Sequence, residues 1–201
     1  GCKTNEHEAE RVAAEIHYLK QAKEIPWGEF AILFRGNHQS RPLEKALQLL
    51  RIPYHLTGGT AFLDRGEVKD ALSWLRVLAN PDDDAAFLRA IAAPKREVGA
   101  TTLEKLAAMA QQSGLSLSVA AGQVGLLKQL TPRAAAGLDE FTRIVHRLRD
   151  AADTLTPAEL VPKLAEQSGL LAMVRSQCKD EASFLRRKAN LEELASWFEG
   201  A

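Results

Sequence analysis

Cysteine is scarce in this sequence, and its scarcity argues against two classes of protein. The chain has 201 residues and only two cysteines, Cys2 and Cys178, which form no CxxC pair. Structural zinc sites combine several cysteine and histidine ligands at short spacing, and disulfide-stapled domains are far richer in cysteine. We therefore expect neither a metal site nor a disulfide framework, which fits a protein of the reducing cytoplasm.

The chain also lacks an excess of charge of either sign and any long apolar run. Its 26 basic and 26 acidic residues cancel, so contact with nucleic acid would have to come from local patches. No apolar stretch approaches the ~18 residues that a membrane-spanning helix requires, and we expect no membrane partner. The sequence begins without Met and without an apolar signal core, which predicts an internal piece of a longer protein.

Three catalytic motifs are missing as well. The sequence contains no GxxxxGK[ST] phosphate-binding loop, no GxSxG elbow and no HExxH helix. The acidic run 82–84 is typical of a helix N-terminus, where acids favour the helix dipole, and we expect no metal there. A stand-alone α/β enzyme is therefore the least favoured hypothesis.

The first part of the sequence predicts a small α/β segment. Residues 30–34 form a continuous apolar run flanked by breakers, which predicts a strand buried on both faces. Residues 43–50 carry one apolar stripe of a helix, and residues 52–57 predict a second strand. Strand, helix and strand in this order predict a βαβ unit that belongs to a parallel sheet.

The character of the sequence changes at Gly58 and Gly59. Beyond them the apolar residues recur at helical spacing only, so the predicted fold is mainly α: a small α/β segment followed by an all-α subdomain. We place the boundary between residues 1–57 and residues 58–201. Because paired glycines tolerate unusual backbone angles, Gly58 and Gly59 are candidates for a hinge, although a fixed tight turn explains them equally well.

Polar residues follow the first predicted strand. Residues 35–41 supply two guanidinium groups, two amides and a hydroxyl, and they lead into the predicted helix. Loops at the carboxyl ends of strands face ligands in open α/β sheets, and helix N-termini attract anions. These groups suit the phosphates of a nucleic-acid single strand; a solvated polar loop is the plainer interpretation.

Two further turns carry basic residues. Residues 94–102 join two predicted helices and place Lys95 and Arg96 beside backbone amides that can hold a duplex phosphate without reading bases. Residues 131–137, with Arg133, form a weaker candidate of the same kind. The plainer interpretation of both turns is a corner between helices with solvated charges.

Five ordered blocks of the sequence together span nearly all of the chain. The blocks are FAILFRGNHQSR (30–41), RIPY with GGTAFLDRGEVKD (51–54 and 58–70), LRVLANPDDD with AFLR (75–84 and 86–89), PKREVG (94–99) and NLEEL (190–194). They resemble blocks of the Rep, UvrD and PcrA helicases of superfamily 1A, and five ordered blocks are more specific than one isolated motif. By this resemblance the chain is identified as an internal piece of a Rep-like ATP-dependent DNA helicase, because the variants GNHQ and KRE favour the Rep branch.

The resemblance implies an architecture and an activity for the parent protein. Residues 1–57 would be part of the RecA-like domain 2A, and residues 58–201 most of the helical subdomain 2B. The parent would move 3′ to 5′ on single-stranded DNA in replication and repair, using ATP and Mg²⁺ at a site outside this chain. This piece is expected to bind no cofactor and to be inactive alone. Its implied partners are single-stranded DNA, duplex junctions and replication proteins.

The resemblance also assigns roles to residues. Gly58 and Gly59 would be the hinge about which 2B swings. Glu97 stands where UvrD-type proteins have glycine, and its carboxylate would repel phosphate. An alternative is therefore a 2B that is mainly a protein-docking or autoinhibitory module. The candidate contacts are Arg35, Asn37, Gln39 and Arg41 for the single strand, and Lys95, Arg96, Val98, Gly99 and, from its own turn, Arg133 for the duplex backbone.

We expect the chain to bind no nucleotide, since it lacks the lysine and the backbone nest that hold a triphosphate. The measurement is a titration of the chain with a fluorescent ATP analogue and Mg²⁺. Saturable binding at micromolar concentration would contradict this prediction and the assignment of the ATP site to another part of the parent.

Overall fold

The computed structural model describes residues 4–34, 39–56 and 62–198, which form two compact units, Gly1–Arg65 and Gly66–Ala201. None of the described helices is both long enough and apolar enough to cross a membrane. The first unit contains α1 (Asn5–Lys23), α2 (Ser40–Leu49) and two 3-10 turns (Trp27–Glu29 and Phe62–Asp64). The second contains α3 (Gly66–Ala79), α4 (Asp84–Ala92), α5 (Ala100–Ser113), α6 (Leu117–Ala121), α7 (Val124–Leu127), α8 (Pro132–Ala152), α9 (Pro157–Gln167), α10 (Leu170–Gln177) and α11 (Glu181–Ser196).

The first unit is a pair of helices with a small apolar core. α1 begins after Thr4, whose side chain accepts a hydrogen bond from the backbone amide of His7. One face of α1 is apolar at helical spacing and packs against the apolar face of α2. The core between them consists of Ala9, Ala13, Ile16, Ala46, Leu47 and Ile52.

The predicted βαβ unit is wrong. Residues 30–34 and 52–56 are irregular and pair with no strand in the part of the chain that the structure describes. Nor is the first run buried on both faces: Ile32 is half-buried, whereas Leu33 is 95% exposed. A parallel strand forms its backbone hydrogen bonds with a neighbouring strand. An apolar run does not by itself indicate that such a neighbour is present. The described fold is therefore all-α rather than a small α/β segment followed by helices.

The second unit is a helical assembly around three aromatic rings. Trp74 of α3, Phe87 of α4 and Phe141 of α8 are almost completely buried. The ring centroids of Trp74 and Phe141 lie 4.7 Å apart, and Phe87 meets Phe141 edge-on at 5.3 Å. Tilted and edge-on contacts of this kind add stability beyond the burial of apolar area. These rings hold together helices that are far apart in the sequence.

The acidic run 82–84 defines helix ends. The Asp83 carboxylate accepts a hydrogen bond from the backbone amide of Ala86 in the first turn of α4, and it also pairs with Arg76. The Asp84 carboxylate accepts from the backbone amide of Leu117, the first residue of α6. Two of the three acids therefore satisfy backbone amides at helix N-termini, the task that such residues commonly perform.

A buried polar network joins α3 to α11. The two oxygens of the Glu67 carboxylate accept separate hydrogen bonds, one from the Asn190 amide at 2.6 Å and one from Arg187 Nε at 2.8 Å. Burial opposes ionisation of Glu67, but the hydrogen bonds from Asn190, from its own backbone amide and from Arg187 outweigh it and lower the pKa of this carboxyl. The ionised form is therefore the one that the fold stabilises.

We expect Glu67→Gln to lower the free energy of unfolding by about 2 kcal/mol at pH 7, because hydrogen bonds to a charged group are lost. Since the pKa of Glu67 is lowered on folding, its contribution is complete above its ordinary value of 4.5 and disappears as the pH falls below it. The measurement is urea unfolding of both proteins between pH 3 and pH 7, values that bracket the titration of a carboxyl group.

Glu192→Gln is the matched control. Glu192 lies on α11, is exposed, and pairs with Lys188 one turn away in the described part of the chain. Its loss should change stability by less than about 0.5 kcal/mol at any pH. If Glu67→Gln lowered the free energy of unfolding by the same amount at both ends of the pH range, the role assigned to the carboxylate charge would be contradicted.

Candidate nucleic-acid interface

The turn between α4 and α5 directs alternate side chains outward and inward. Lys95, Glu97 and Gly99 are exposed, Arg96 is buried and Val98 is half-buried. Val98 packs against the core of the second unit. Of the residues that the sequence assigned to the duplex backbone, the turn thus presents Lys95 and Gly99 to solvent and anchors itself through Arg96 and Val98.

Arg96 is only 7% exposed, and its guanidinium group lies inside the fold. The guanidinium carbon is 5.0 Å from the centroid of the Trp74 ring and 5.7 Å from that of Phe141. Its two terminal nitrogens donate hydrogen bonds to the carbonyl oxygens of Pro94 and Ser168, at 2.7 and 2.5 Å. Burial lowers the pKa of Arg96, and the negative charge of Glu140 opposes that shift.

Two backbone features fix the shape of the same turn. Glu97 adopts φ = 59°, a left-handed conformation that glycine tolerates better than any residue with a side chain. Gly137 of α8 lies directly beneath the turn, because a Cβ atom built there would be 2.0 Å from the carbonyl oxygen of Arg96. α8 therefore needs glycine at this position for the turn to approach it.

The start of α5 is open to solvent. Its N-cap residue is Gly99, no side chain caps its first amides, and no acidic residue lies in its first turn. A Cβ atom at Gly99 would meet nothing within 4 Å. Backbone amides at a helix N-terminus carry partial positive charge and are well suited to hold a phosphate. Lys95, four residues earlier in the same turn, is also exposed.

The surroundings of the turn are of mixed charge. The turn, the start of α8 and the junction between α9 and α10 border a cavity of about 690 Å³. Its charged lining residues are three basic ones and three acidic ones, so their formal charges cancel. Arg133 is the exposed basic residue that α8 contributes. The charged residues of the cavity are Lys95, Arg96, Arg133, Glu97, Glu140 and Glu166.

Only part of the predicted single-strand site can be placed. Arg35 and Asn37 lie outside the described residues, as do the proposed hinge residues Gly58 and Gly59. Gln39 and Arg41 lie at the start of α2, and both are half-buried. Their assignment to single-stranded DNA stays a prediction.

Glu44, a buried carboxylate on α2, was not predicted from the sequence. One of its oxygens accepts hydrogen bonds from the backbone amide of Phe62 at 2.6 Å and from the Tyr54 hydroxyl at 3.2 Å. Burial, followed by the negative charge of Glu44, raises the pKa of Tyr54 to about 12. The available signal was an acidic residue beside the apolar stripe of α2, next to Leu43 and one turn before Leu47.

Comparison with known proteins identifies relatives of the chain. Residues 1–125 match the UvrD-like helicase C-terminal domain. This chain belongs to the UvrD-like helicase family. It is 42% identical over 198 residues to the ATP-dependent DNA helicase Rep of Salmonella typhimurium and 40% identical over 195 residues to that of Escherichia coli. It is 38% identical over 189 residues to the ATP-dependent DNA helicase PcrA of Bacillus subtilis.

The alignments cover most of this chain but a small part of each relative. They include 96% of this chain for both Rep proteins and 94% for PcrA, and they span 28%, 28% and 25% of those relatives. The family resemblance seen in the five sequence blocks is thereby confirmed. The relatives are named for a complete helicase, of which this chain corresponds to about a quarter.

We expect Gly137→Ala to destabilise the second unit by about 3 kcal/mol or more, because the added methyl group would collide with backbone rather than with a movable side chain. This expected loss of stability is unusual, because replacing glycine by alanine inside a helix ordinarily stabilises the helix. Gly125→Ala in α7 is the control, since its Cβ position has no atom within 4 Å among the described residues other than its chain neighbours. Thermal unfolding of both variants is the measurement; equal melting temperatures would contradict the close approach.

Proposed function

We propose that this chain is a non-catalytic part of an ATP-dependent 3′ to 5′ DNA helicase, and that its second unit holds duplex DNA weakly at the backbone. The proposed contact consists of Lys95, the amides at the start of α5 after Gly99, and Arg133. The family membership supports DNA as the partner of the parent protein. ATP and Mg²⁺ would act elsewhere in that parent.

The observation that carries the proposal is the open start of α5. The first turn of α5 has no side-chain cap and contains no acidic residue, and the exposed Lys95 lies in the turn that leads into this helix. Such a set can bind a phosphate oxygen but contains no side chain placed to read a base edge. Binding should therefore be independent of sequence, sensitive to salt and weak, because few phosphates are neutralised.

The proposed single-strand contact includes residues at the start of α2. Gln39 and Arg41 lie at the N-terminal end of α2, where an amide and a guanidinium group suit phosphate or sugar oxygens. Arg35 and Asn37 precede them in the sequence block that resembles the family. These four residues together would follow the strand that enters the parent helicase.

A second candidate function is protein docking, and one observation favours it. Glu97, Glu140 and Glu166 line the same cavity as the basic residues, so the surface is mixed rather than positive. A mixed surface with cancelling charges resembles the rim of a protein interface more than the basic face of a DNA-binding protein. A replication protein would be the expected partner in that case.

We expect the chain to bind a DNA hairpin with a 3′ tail with a log–log salt slope of about −2 to −4. Lys95→Met should make the slope shallower by about one, because one phosphate contact is lost. Fluorescence anisotropy over a series of salt concentrations measures both slopes, and two unrelated hairpin sequences test independence of sequence.

Arg143→Met is the matched control for this experiment. Arg143 is an exposed arginine of the same unit that pairs with Asp139 on α8. Its loss should leave the slope unchanged. Binding without salt dependence, or no binding by the wild-type chain, would refute the DNA contact and leave protein docking as the better hypothesis.

A further inference from the structure

We propose that Arg96 is a positioning residue for the duplex contact: held inside the fold, it sets the shape of the turn that presents Lys95 and the start of α5. This inference rests on the proposed function, because it concerns the same contact. It also gives Arg96 a role different from the direct phosphate contact that its place in the sequence block implied.

The burial of Arg96 argues against a direct contact with DNA. Its guanidinium group lies against the rings of Trp74 and Phe141, and two of its nitrogens already donate to carbonyl oxygens. A phosphate would have to displace those carbonyls from a side chain that is 7% exposed. Leaving buried carbonyls without donors costs free energy, so the exchange would be unfavourable.

All but one of the partners of Arg96 come from distant parts of the chain. Pro94 belongs to the turn itself, and Ser168 is the C-cap residue of α9. Trp74 lies on α3, and its own indole nitrogen donates to the carbonyl oxygen of Ala93, directly before the turn. Through Trp74, Phe141 and Ser168, Arg96 therefore fastens the turn to α3, α8 and α9.

Fixing Arg96 fixes its exposed neighbours. Lys95 and Glu97 flank it and direct their side chains to solvent, and Gly99 follows three residues later as the N-cap of α5. The carbonyl oxygen of Arg96 also rests against Gly137 of α8. A shift of Arg96 would accordingly turn Lys95 and the first amides of α5 away from a common phosphate.

The geometry requires arginine and not merely a positive charge. A planar guanidinium group can donate to two carbonyls in different directions while its face lies against an aromatic ring. A lysine at this position would keep the charge but could not reproduce both donations in the same plane. A residue that contacts phosphate directly would lose little on this change, so Arg96→Lys separates the two roles.

The test measures hydrogen exchange and DNA binding of the same 201-residue chain. In Arg96→Lys we expect the amides of Thr102 and Leu103, which donate to the carbonyl oxygen of Gly99, to exchange about tenfold faster, which corresponds to ~1.4 kcal/mol of local stability. Amides of α11 should be unchanged. Arg143→Lys, an exposed arginine-to-lysine change in the same unit, is the control and should alter neither region.

The affinity for DNA should depend on the shape of the turn. Affinity for the tailed hairpin should fall in Arg96→Lys by as much as in Lys95→Met, and the double variant should be no weaker than the weaker single variant. Such non-additivity is expected when one residue acts through another. Phe141→Leu, which removes one of the two rings and keeps an apolar side chain, should show a smaller loss of the same kind.

The possible outcomes are distinguishable. Unchanged exchange in Arg96→Lys together with normal wild-type DNA binding would refute the positioning role alone. Faster exchange spread evenly over the turn and α11 would indicate general destabilisation and would also refute it. Absence of salt-dependent DNA binding by the wild-type chain would refute the proposed function, and with it the purpose assigned to the turn.

Discussion

The contact of the Arg96 guanidinium group with the rings of Trp74 and Phe141 is the one on which the second unit most depends. It brings a turn, α3, α8 and the end of α9 to one point, and the two carbonyls that accept its hydrogen bonds come from residues that are 74 positions apart, Pro94 and Ser168. A buried cation is stable only when its donors are satisfied and its charge is balanced. Most of this group is satisfied, although its Nε has no hydrogen-bond partner among the described residues.

The same contact limits what the surface can do. Because Arg96 is turned inward, the exposed positive charge near the turn is reduced to Lys95 and Arg133, and the neighbouring acids offset it. Affinity for a phosphate backbone grows with the number of phosphates neutralised, so the DNA contact proposed for this unit would be weak. Under the proposed function, other segments of the parent helicase would bind the same DNA.

The sequence predicted some elements of the fold well and others poorly, for identifiable reasons. Helices such as α3 followed from apolar residues at helical spacing, because that signal lies within the element itself. Residues 30–34, a continuous apolar run, and residues 52–57 were predicted as strands, and the described residues 30–34 and 52–56 are irregular. Strand formation depends on a hydrogen-bonding neighbour, and local pattern carries no information about whether that neighbour is present.

The sequence by itself determined the family, the helical nature of the second unit and the positions of the turns that carry basic residues. It could do so because motifs and apolar periodicity lie in consecutive residues. Only the tertiary structure decided which residues of those turns face solvent. Lys95 and Arg96 are adjacent and both basic, yet one is exposed and the other buried against Trp74 and Phe141. The reason is that burial depends on side chains that are distant along the chain, and no local pattern records which of them will meet.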